Sequence, residues 1–390
     1  MGLTLIVPAS GQDTSPAPAE PAAAAPATPQ GGAAPTWSVG PINFSGAIDG
    51  YYSFNANHPA GRTNGLYNFN VNANQFGLSM AEIVLEHTPD PVGFRVDLGF
   101  GDTYRIVNSL DNDGGFNTYL QQAYVSWRPD GGMGFQADFG KFVTAAGAEV
   151  IESYSNWNYS RSILFGWAIP YYHFGLRTSV PVGSHFTAGF QVVNGWNSVV
   201  DNNNAKTVVL TGTATFSKFA WAFGWHGGPE NPGTSTGWHH LIDTTLTVTP
   251  TSKVSAYINY DYHQQRHQNS SSFPDGTFTA WQGVAAALRL QATDKWAFAG
   301  RGEWFHDRQG HSTGLAQTLK EVTITGEYKL AEGLFTRAEY RHDWSNQPYF
   351  ERGTLPCGAL SYTSTPICPG NYRSQDTFTV AFVAFFGPER

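Results

Sequence analysis

Polar and apolar residues alternate along much of the chain, most clearly in residues 321–344, EVTITGEYKLAEGLFTRAEYRHDW. Charged residues there occupy nearly every second position, with an apolar or small residue between them. Because successive side chains of a strand point to opposite faces, this period predicts strands with one polar and one apolar face. A soluble sheet on a core shows such a pattern, and so does a barrel wall with lipid outside and water inside.

From Ile42 onwards the same pattern, interrupted by turn residues, predicts sixteen strands. Strands of ten residues, tilted by about 40°, rise roughly 25 Å, which matches the apolar band of an outer-membrane barrel. The predicted strands are 43–54, 75–87, 92–102, 117–128, 133–142, 171–180, 184–195, 206–216, 218–227, 240–249, 252–264, 279–292, 295–307, 319–331, 334–344 and 374–386.

The connections between these strands alternate strictly between short and long. Every even-to-odd connection is tight, whereas every odd-to-even connection is long, and both chain ends fall on the short side. A sandwich has no reason to sort its loops in this way, but a bacterial up-and-down barrel does. The predicted fold is therefore all-β: a transmembrane antiparallel up-and-down β-barrel of about 16 strands, with short periplasmic turns and long extracellular loops.

Aromatic residues near the strand ends indicate which face meets lipid. Barrels carry aromatic girdles at both membrane interfaces, and here the apolar faces end in Tyr260, Tyr262, Trp296, Trp304 and Trp344. The pattern is less regular in 75–87, where Leu78 and Met80 share a face with Glu82 and Glu86, which indicates a bulge or a wrong register. The last strand is rich in Phe, as is common in barrels that the barrel-assembly machinery recognises.

Composition supports a membrane barrel and excludes other classes. Aromatic residues make up 15% and charged residues only 13%, against about 25% charged in a typical soluble domain. The longest apolar run, 162–172, is shorter than the roughly 18 to 20 residues that a spanning helix needs. The net charge of -8 argues against nucleic acid as a partner.

Three regions are predicted along the chain. Residues 1–10 look like the remnant of a truncated signal peptide, and 11–40 like a disordered periplasmic leader dominated by Pro and Ala. Residues 41–390 form the barrel, with an in-folded constriction loop predicted at 143–169. Cys357 and Cys368 are expected to form a disulfide in the largest loop.

No enzyme, metal site or cofactor is expected. The segment 233–237 (GTSTG) fits a nucleophile motif, but it lies in a polar loop without the strand-to-helix elbow that exposes the serine. An outer-membrane hydrolase using Ser235 and His240 is the enzymatic alternative. The histidines at 239–240, His263 and His267 lack a third ligand at a fixed spacing.

Residues 140–175 carry a family resemblance. They read GKFVTAAGAEVIESYSNWNYSRSILFGWAIPYYHFG, in which a GK-F strand end leads to GAE, an NYSRS run, Pro and H-x-G. This segment resembles the signature region of a large, mostly uncharacterised group of bacterial β-barrel porins. The resemblance implies a porin in the outer membrane and leaves the substrate open. The matching residues are Gly140, Lys141, Phe142, Gly147, Ala148, Glu149, Asn158, Tyr159, Ser160, Arg161, Ser162, Pro170, His173 and Gly175.

The same segment predicts a pore constriction formed by Glu149, Glu152 and Arg161, which stand among apolar residues. Because exposed loops are rarely so apolar, we expect the loop to fold into the lumen, with its apolar side on the wall and its charges facing water. The alternative is a loop packed over the mouth, with Glu149 and Arg161 paired.

Charged residues on the polar faces predict a wet lumen, where rows of opposite charge pass polar solutes and tune ion preference. Singly, each of these residues could instead form a cross-strand pair on a solvated wall. The predicted lumen residues are Arg95, Asp97, Asp138, Arg289, Arg301, Glu303, Glu327, Lys329, Arg337, Glu339, Arg341 and Asp343.

The sequence thus predicts an outer-membrane porin for passive diffusion of small hydrophilic solutes and ions. A channel selective for sugars or organic acids, and a non-conducting structural or adhesive barrel, are the alternatives. The expected surroundings are outer-membrane lipid and lipopolysaccharide, with the N-terminus in the periplasm. The sequence leaves open whether three barrels associate as a homotrimer. The acidic balance favours cations.

Overall fold

The computed structural model describes residues 38–109, 111, 115, 117–353 and 370–387. Sixteen long strands follow one another around a single antiparallel sheet. They are β1 Ile42–Asn55, β2 Gln75–His87, β3 Val92–Phe100, β4 Leu120–Trp127, β5 Gln136–Val143, β6 Tyr172–Val182, β7 Phe186–Val193, β8 Thr207–Thr215, β9 Phe219–Pro229, β10 Trp238–Thr251, β11 Val254–Arg266, β12 Phe278–Gln291, β13 Trp296–Asp307, β14 Gln317–Ala331, β15 Leu334–Ser345 and β16 Ser374–Phe386.

The sheet closes on itself, because the last strand pairs with the first. The β16–β1 register runs from Thr377 opposite Asn55 to Phe386 opposite Gly46. Closure leaves no long strand with an unpaired edge, which is the condition for a sheet to cross the hydrocarbon of a membrane. The predicted antiparallel barrel is confirmed.

Side chains alternate between the two faces of the wall as the polar pattern predicted. In β14, Val322 and Ile324 are exposed on the outside, whereas Glu321, Thr323 and Thr325 are buried inside. The same division recurs around the barrel, so large apolar side chains form its outer surface. This arrangement places apolar residues against lipid and polar residues in the interior.

Several predicted strand ends differ from the structure by two or three residues, and glycine geometry explains two of these differences. The strand predicted to reach residue 102 ends at Phe100, because Gly101 has φ 113° and the chain turns into helix α1, Asp102–Val107. The strand predicted from residue 133 begins at Gln136, because Gly131, Met133 and Gly134 all have positive φ. Such backbone angles interrupt a strand, and glycine adopts them at least cost.

The irregularity in β2 is a β-bulge. Asp49 pairs with Met80 and Gly50 with Leu78, so Ser79 has no partner in the register. The extra residue shifts the alternation, which leaves Leu78 exposed outside while Met80 and Glu82 are buried inside. The bulge suggested by the sequence is confirmed.

The apolar core lies inside the barrel. It joins the connection 144–171, which contains a 3₁₀ turn (Ser153–Ser155) and helix α2 (Ile163–Trp167), to inward-facing residues of β10–β14. Within the described residues, no helix has the length and apolar character needed to cross a membrane.

The lipid-facing surface should show a depth-dependent cost for charge. Ile324 lies outside at the middle of β14, and Leu330 lies on the same face beside the turn 332–333. Lys at a barrel's midplane costs about 2–4 kcal/mol but about 0–1 near the interface. We expect Ile324→Lys to lower the free energy of unfolding by the larger amount and Leu330→Lys by the smaller, measured by denaturant unfolding in lipid vesicles. Equal losses would contradict the lipid-facing assignment.

Candidate functional site

The connection 144–171, called the inner loop below, packs against the inner face of the barrel. Ile163, Leu164 and Phe165 of α2 are buried in the core inside the barrel. Leu164 approaches β12 so closely that a Cβ on Gly283 would lie 2.6 Å from its Cδ1 atom. Trp157 contacts Tyr257 of β11, with ring centroids 5.1 Å apart. The inner loop therefore occupies part of the barrel's cross-section.

The connection 56–74 between β1 and β2 packs over the inner loop. Its Phe69 ring lies 5.7 Å from Phe165 and 5.8 Å from Tyr171. Trp167 donates its indole hydrogen to the carbonyl of Leu66 at 3.0 Å. These contacts hold α2 between the barrel wall and a second segment of the chain.

Carboxylates of the wall accept hydrogen bonds from the backbone of the inner loop. Glu303 of β13 accepts the N–H groups of Ile163 and Leu164 at 3.0 and 3.1 Å. Glu339 of β15 accepts those of Tyr159 and Ser160 at 2.6 and 2.9 Å. Buried backbone donors outside regular structure need such partners. The wall carboxylates thus satisfy a buried, mostly irregular loop.

Wall guanidinium groups bind the carbonyl groups of the same loop. Arg337 donates to the carbonyls of Ser153 and Asn156, each at 2.6 Å. Arg341 donates to the carbonyl of Arg161 at 2.7 Å. Arg301 likewise donates to the carbonyl of Ser160 at 2.7 Å. Hydrogen bonds to charged groups are stronger than neutral ones, so these contacts fix the inner loop firmly.

The three residues predicted to form the constriction lie at different places on the inner loop. Glu149 is buried, pairs with Arg301 at 2.7 Å and accepts the N–H of Ser162. Arg161 is also buried and donates to the carbonyls of Tyr159 and Ile151 within the loop. Only Glu152 is partly exposed. The expectation that Glu149 and Arg161 face water is wrong, because the charged wall and the loop backbone bind them instead.

The pKa of Arg161 lies below its ordinary value, because burial outweighs the neighbouring negative charges. Burial lowers the pKa of Arg161, while the nearby carboxylates of Asp49, Glu149 and Glu152 raise it. The guanidinium also lies over the ring of Phe69, 4.6 Å from its centroid. Arg161 therefore serves to hold the loop together.

The predicted lumen residues all occupy inward-facing positions of the alternation. Arg289, Glu327 and Lys329 lie towards the short-turn end and are partly exposed. Most of the predicted lumen residues form ion pairs with neighbouring side chains. In one example, Nε of Arg95 lies 2.9 Å from a carboxylate oxygen of Asp97. The buried ones are Arg95, Asp97, Asp138, Arg301, Glu303, Arg337, Glu339, Arg341 and Asp343.

Some interior charges were not among the predicted site residues. Lys141 is buried, donates to the side chain of Asn108 at 2.7 Å and lies over the Tyr172 ring. Glu321 pairs with Arg301 at 2.9 Å. Asp243 and Asp261 face each other across β10 and β11. Their positions in the period-two pattern could have identified all of them.

Three further hypotheses from the sequence concern a disulfide, a hydrolase and a metal site. Cys357 and Cys368 lie outside the described residues. Ser235 is exposed in a loop, while His240 points outward and stacks on Trp225 and Trp238. Among the described residues, no group of three or more His, Cys, Asp or Glu side chains is placed to hold a metal ion.

Comparison of the sequence with protein families decides the family. Residues 41–386 match the family described as "Putative beta-barrel porin-2, OmpL-like". The chain belongs to this family. This porin therefore forms an outer-membrane channel, and its location is the bacterial outer membrane. No curated protein matches its sequence.

Solved porin structures share the fold of this porin at low sequence identity. OmpT of Vibrio cholerae is 15% identical, with a TM-score of 0.58 over 90% of this chain and 100% of that chain. An anion-selective porin from Comamonas acidovorans is 8% identical, with a TM-score of 0.57 over 88% and 99%. OmpF of Salmonella typhi, in complex with daunomycin, is 12% identical, with 0.55 over 88% and 97%.

The wall carboxylates should control how firmly the inner loop of this porin is held. Glu339→Gln removes a charged acceptor from the N–H groups of Tyr159 and Ser160. We expect their local opening free energy to fall by about 1–2 kcal/mol, so that these amides exchange roughly tenfold faster. The measurement is hydrogen–deuterium exchange on the folded protein.

Asp138→Asn is the matched control for this experiment. Asp138 is also buried on the inner wall, but its described partners, Arg177 and Gln136, lie outside the inner loop. Exchange at Tyr159 and Ser160 should stay unchanged in this variant. Equal acceleration in both variants would mean that the loop responds to any lost charge on the wall.

Proposed function

We propose that this porin admits small hydrophilic solutes and ions by passive diffusion through a channel narrowed by the inner loop. The observation that carries the proposal is a set of charged side chains on β13 and β15. Glu303, Glu339 and Arg337 form hydrogen bonds with the backbone of the inner loop and hold it against the interior of the barrel. A loop fixed in this way narrows the water-filled channel permanently and does not open and close it. We therefore expect a small, steady conductance.

The predicted constriction residues have separate roles in this proposal. Glu152, which is partly exposed, faces the hydrated space and contributes to ion preference. Glu149 and Arg161 hold the loop, because their charged ends are engaged by Arg301 and by loop carbonyls. The predicted lumen charges at the short-turn end, Arg289 and Glu327, line the approach to the loop.

A substrate-selective channel is the second candidate, and aromatic residues in the interior favour it. Trp281 stacks on His263 with centroids 3.3 Å apart, and Trp196 lies 6.4 Å from Trp281. Aromatic rings that line a passage bind the faces of sugars. Concentration-dependent single-channel block by one class of solute would favour this candidate.

Orientation, assembly and the absence of catalysis also belong to the proposal. Short turns and both chain ends face the periplasm, and lipopolysaccharide surrounds the outer leaflet. Three barrels associate as a homotrimer, and the trimer form of the structurally similar OmpT of Vibrio cholerae supports this assembly. We assign no reaction to Ser235, which is exposed in a loop, or to His240, whose ring stacks on Trp225 and Trp238.

Reconstitution in planar lipid bilayers tests the function. We expect the folded protein to produce stepwise conductance increments and to let small sugars, but not larger ones, enter liposomes. The double variant Glu303→Gln/Glu339→Gln, which loosens the inner loop, should conduct more and admit larger sugars. Asp138→Asn again serves as the control and should behave like the wild type.

The outcomes separate the candidates. Folded wild-type barrels that never conduct would overturn the channel proposal in favour of a structural or adhesive barrel. An unchanged size limit in the double variant would remove the inner loop from the constriction while leaving the channel intact.

A further inference from the structure

The inner faces of the strands become more exposed towards the short-turn end of the barrel. On β12, Ala287 is buried, whereas Arg289, the next inward-facing residue, is partly exposed. On β14, Thr325 is buried and Lys329 is partly exposed. The inner loop therefore covers the middle of these strands and leaves a solvent-filled space below it, called the vestibule here. Its lining includes Ser255, Arg289, Gln291, Glu327 and Lys329, all of them partly exposed.

Two arginines share one carboxylate in the vestibule. Glu327 of β14 lies 2.7 Å from Nη2 of Arg337 on β15 and 3.5 Å from Nη2 of Arg289 on β12. Lys329, on the same face of β14, pairs with Glu332 of the adjacent turn at 2.6 Å. Because a guanidinium group stays charged in proteins, the row of Arg289, Glu327 and Arg337 carries more positive than negative charge.

The two arginines of this row differ in what their guanidinium groups bind. Arg337 is buried, and it donates to Glu327 and to the carbonyls of Ser153 and Asn156 of the inner loop. Arg289 forms one ion pair among the described residues, the longer of the two contacts to Glu327, and its side chain is 16% exposed. None of its nitrogens is both buried and without a partner. The N–H groups that this contact leaves over therefore face the solvent of the vestibule.

Small side chains around Arg289 keep its guanidinium accessible. Its cross-strand partners are Ser255 on β11 and Ala299 on β13. Ala297, the partner of Glu327 on β13, is equally short. Arg289 and Glu327 therefore meet across β13, above side chains that are too short to cover them.

We propose that Arg289 forms an anion-binding step in the vestibule, oriented by Glu327. Its ligands are small oxyanions such as phosphate and carboxylates, because a guanidinium presents paired N–H groups that match their geometry. The inference rests on the proposed diffusion channel and names a residue that determines which ions the channel favours. Partial exposure and the shared carboxylate keep the binding weak enough for release, which conduction requires.

Reversal potentials in a KCl gradient test the charge of this step, using the wild type, Arg289→Gln and Lys295→Gln in planar bilayers. We expect Arg289→Gln to lower the Cl⁻/K⁺ permeability ratio by about threefold, because the row then loses its excess positive charge. Lys295 carries the same charge in the exposed turn between β12 and β13, outside the lumen. Lys295→Gln is therefore the matched control and should leave the ratio unchanged.

Phosphate tests the geometry of the step. Millimolar potassium phosphate on both sides of the bilayer should reduce the chloride conductance of the wild type but not that of Arg289→Gln. Arg289→Lys keeps the charge and loses the paired N–H groups. We expect this variant to keep a permeability ratio close to that of the wild type while phosphate blocks it less.

The outcomes distinguish the anion site from the channel. A permeability ratio that is unchanged in Arg289→Gln, or a wild type that phosphate does not block, overturns the anion site but leaves the channel standing. A wild type that does not conduct overturns the channel itself. Folding is checked by the mobility of the unheated protein in detergent gels. If Arg289→Gln does not fold, Arg289→Lys decides alone: weaker block by phosphate supports the site, and unchanged block overturns it.

Discussion

The architecture depends on satisfying the backbone of a loop that is buried inside a barrel. A segment without regular structure carries donors and acceptors that it cannot pair internally, and each one left unpaired is costly. Glu303 and Glu339 accept its N–H groups, while Arg337 and Arg341 bind its carbonyls. The charged wall thereby supplies the inner loop with the hydrogen-bond partners that a strand in a sheet receives from its neighbouring strand.

The lipid environment explains why the charges are placed where they are. Outside the barrel, every second residue at membrane depth must be apolar, so charges near the middle of the strands lie at the intervening positions. Arg301 shows that one cation at such a position can pair with several carboxylates. It contacts Glu149 of the loop as well as Glu303 and Glu321 of the wall. Such pairing offsets part of the cost of removing these charges from water, and removing one partner would leave the others uncompensated.

Period-two patterning predicted the strands, their inward faces and the short and long connections, because lipid imposes that pattern locally. The course of the inner loop was only partly predictable. Apolar residues around Ile163 indicated burial, but nothing local shows that Leu164 packs at Gly283, more than a hundred positions away. Nor does the pattern distinguish Glu303, which binds the loop, from Asp261, which contacts no cation. Both are simply polar residues on an inner face.

The contrast between those carboxylates bears on what the channel can select. A charge that is neutralised by a fixed partner creates little field for a passing ion, and a buried carboxylate without a cationic partner takes up a proton more readily and then carries no charge. Counting acidic residues therefore says less about ion preference than asking which of them are already paired. In this barrel the inner loop engages the carboxylates of β13 and β15, so these charges hold the loop and are not free to act on ions in the passage. The loop that narrows the passage thus also withdraws the charges of Glu303 and Glu339 from it.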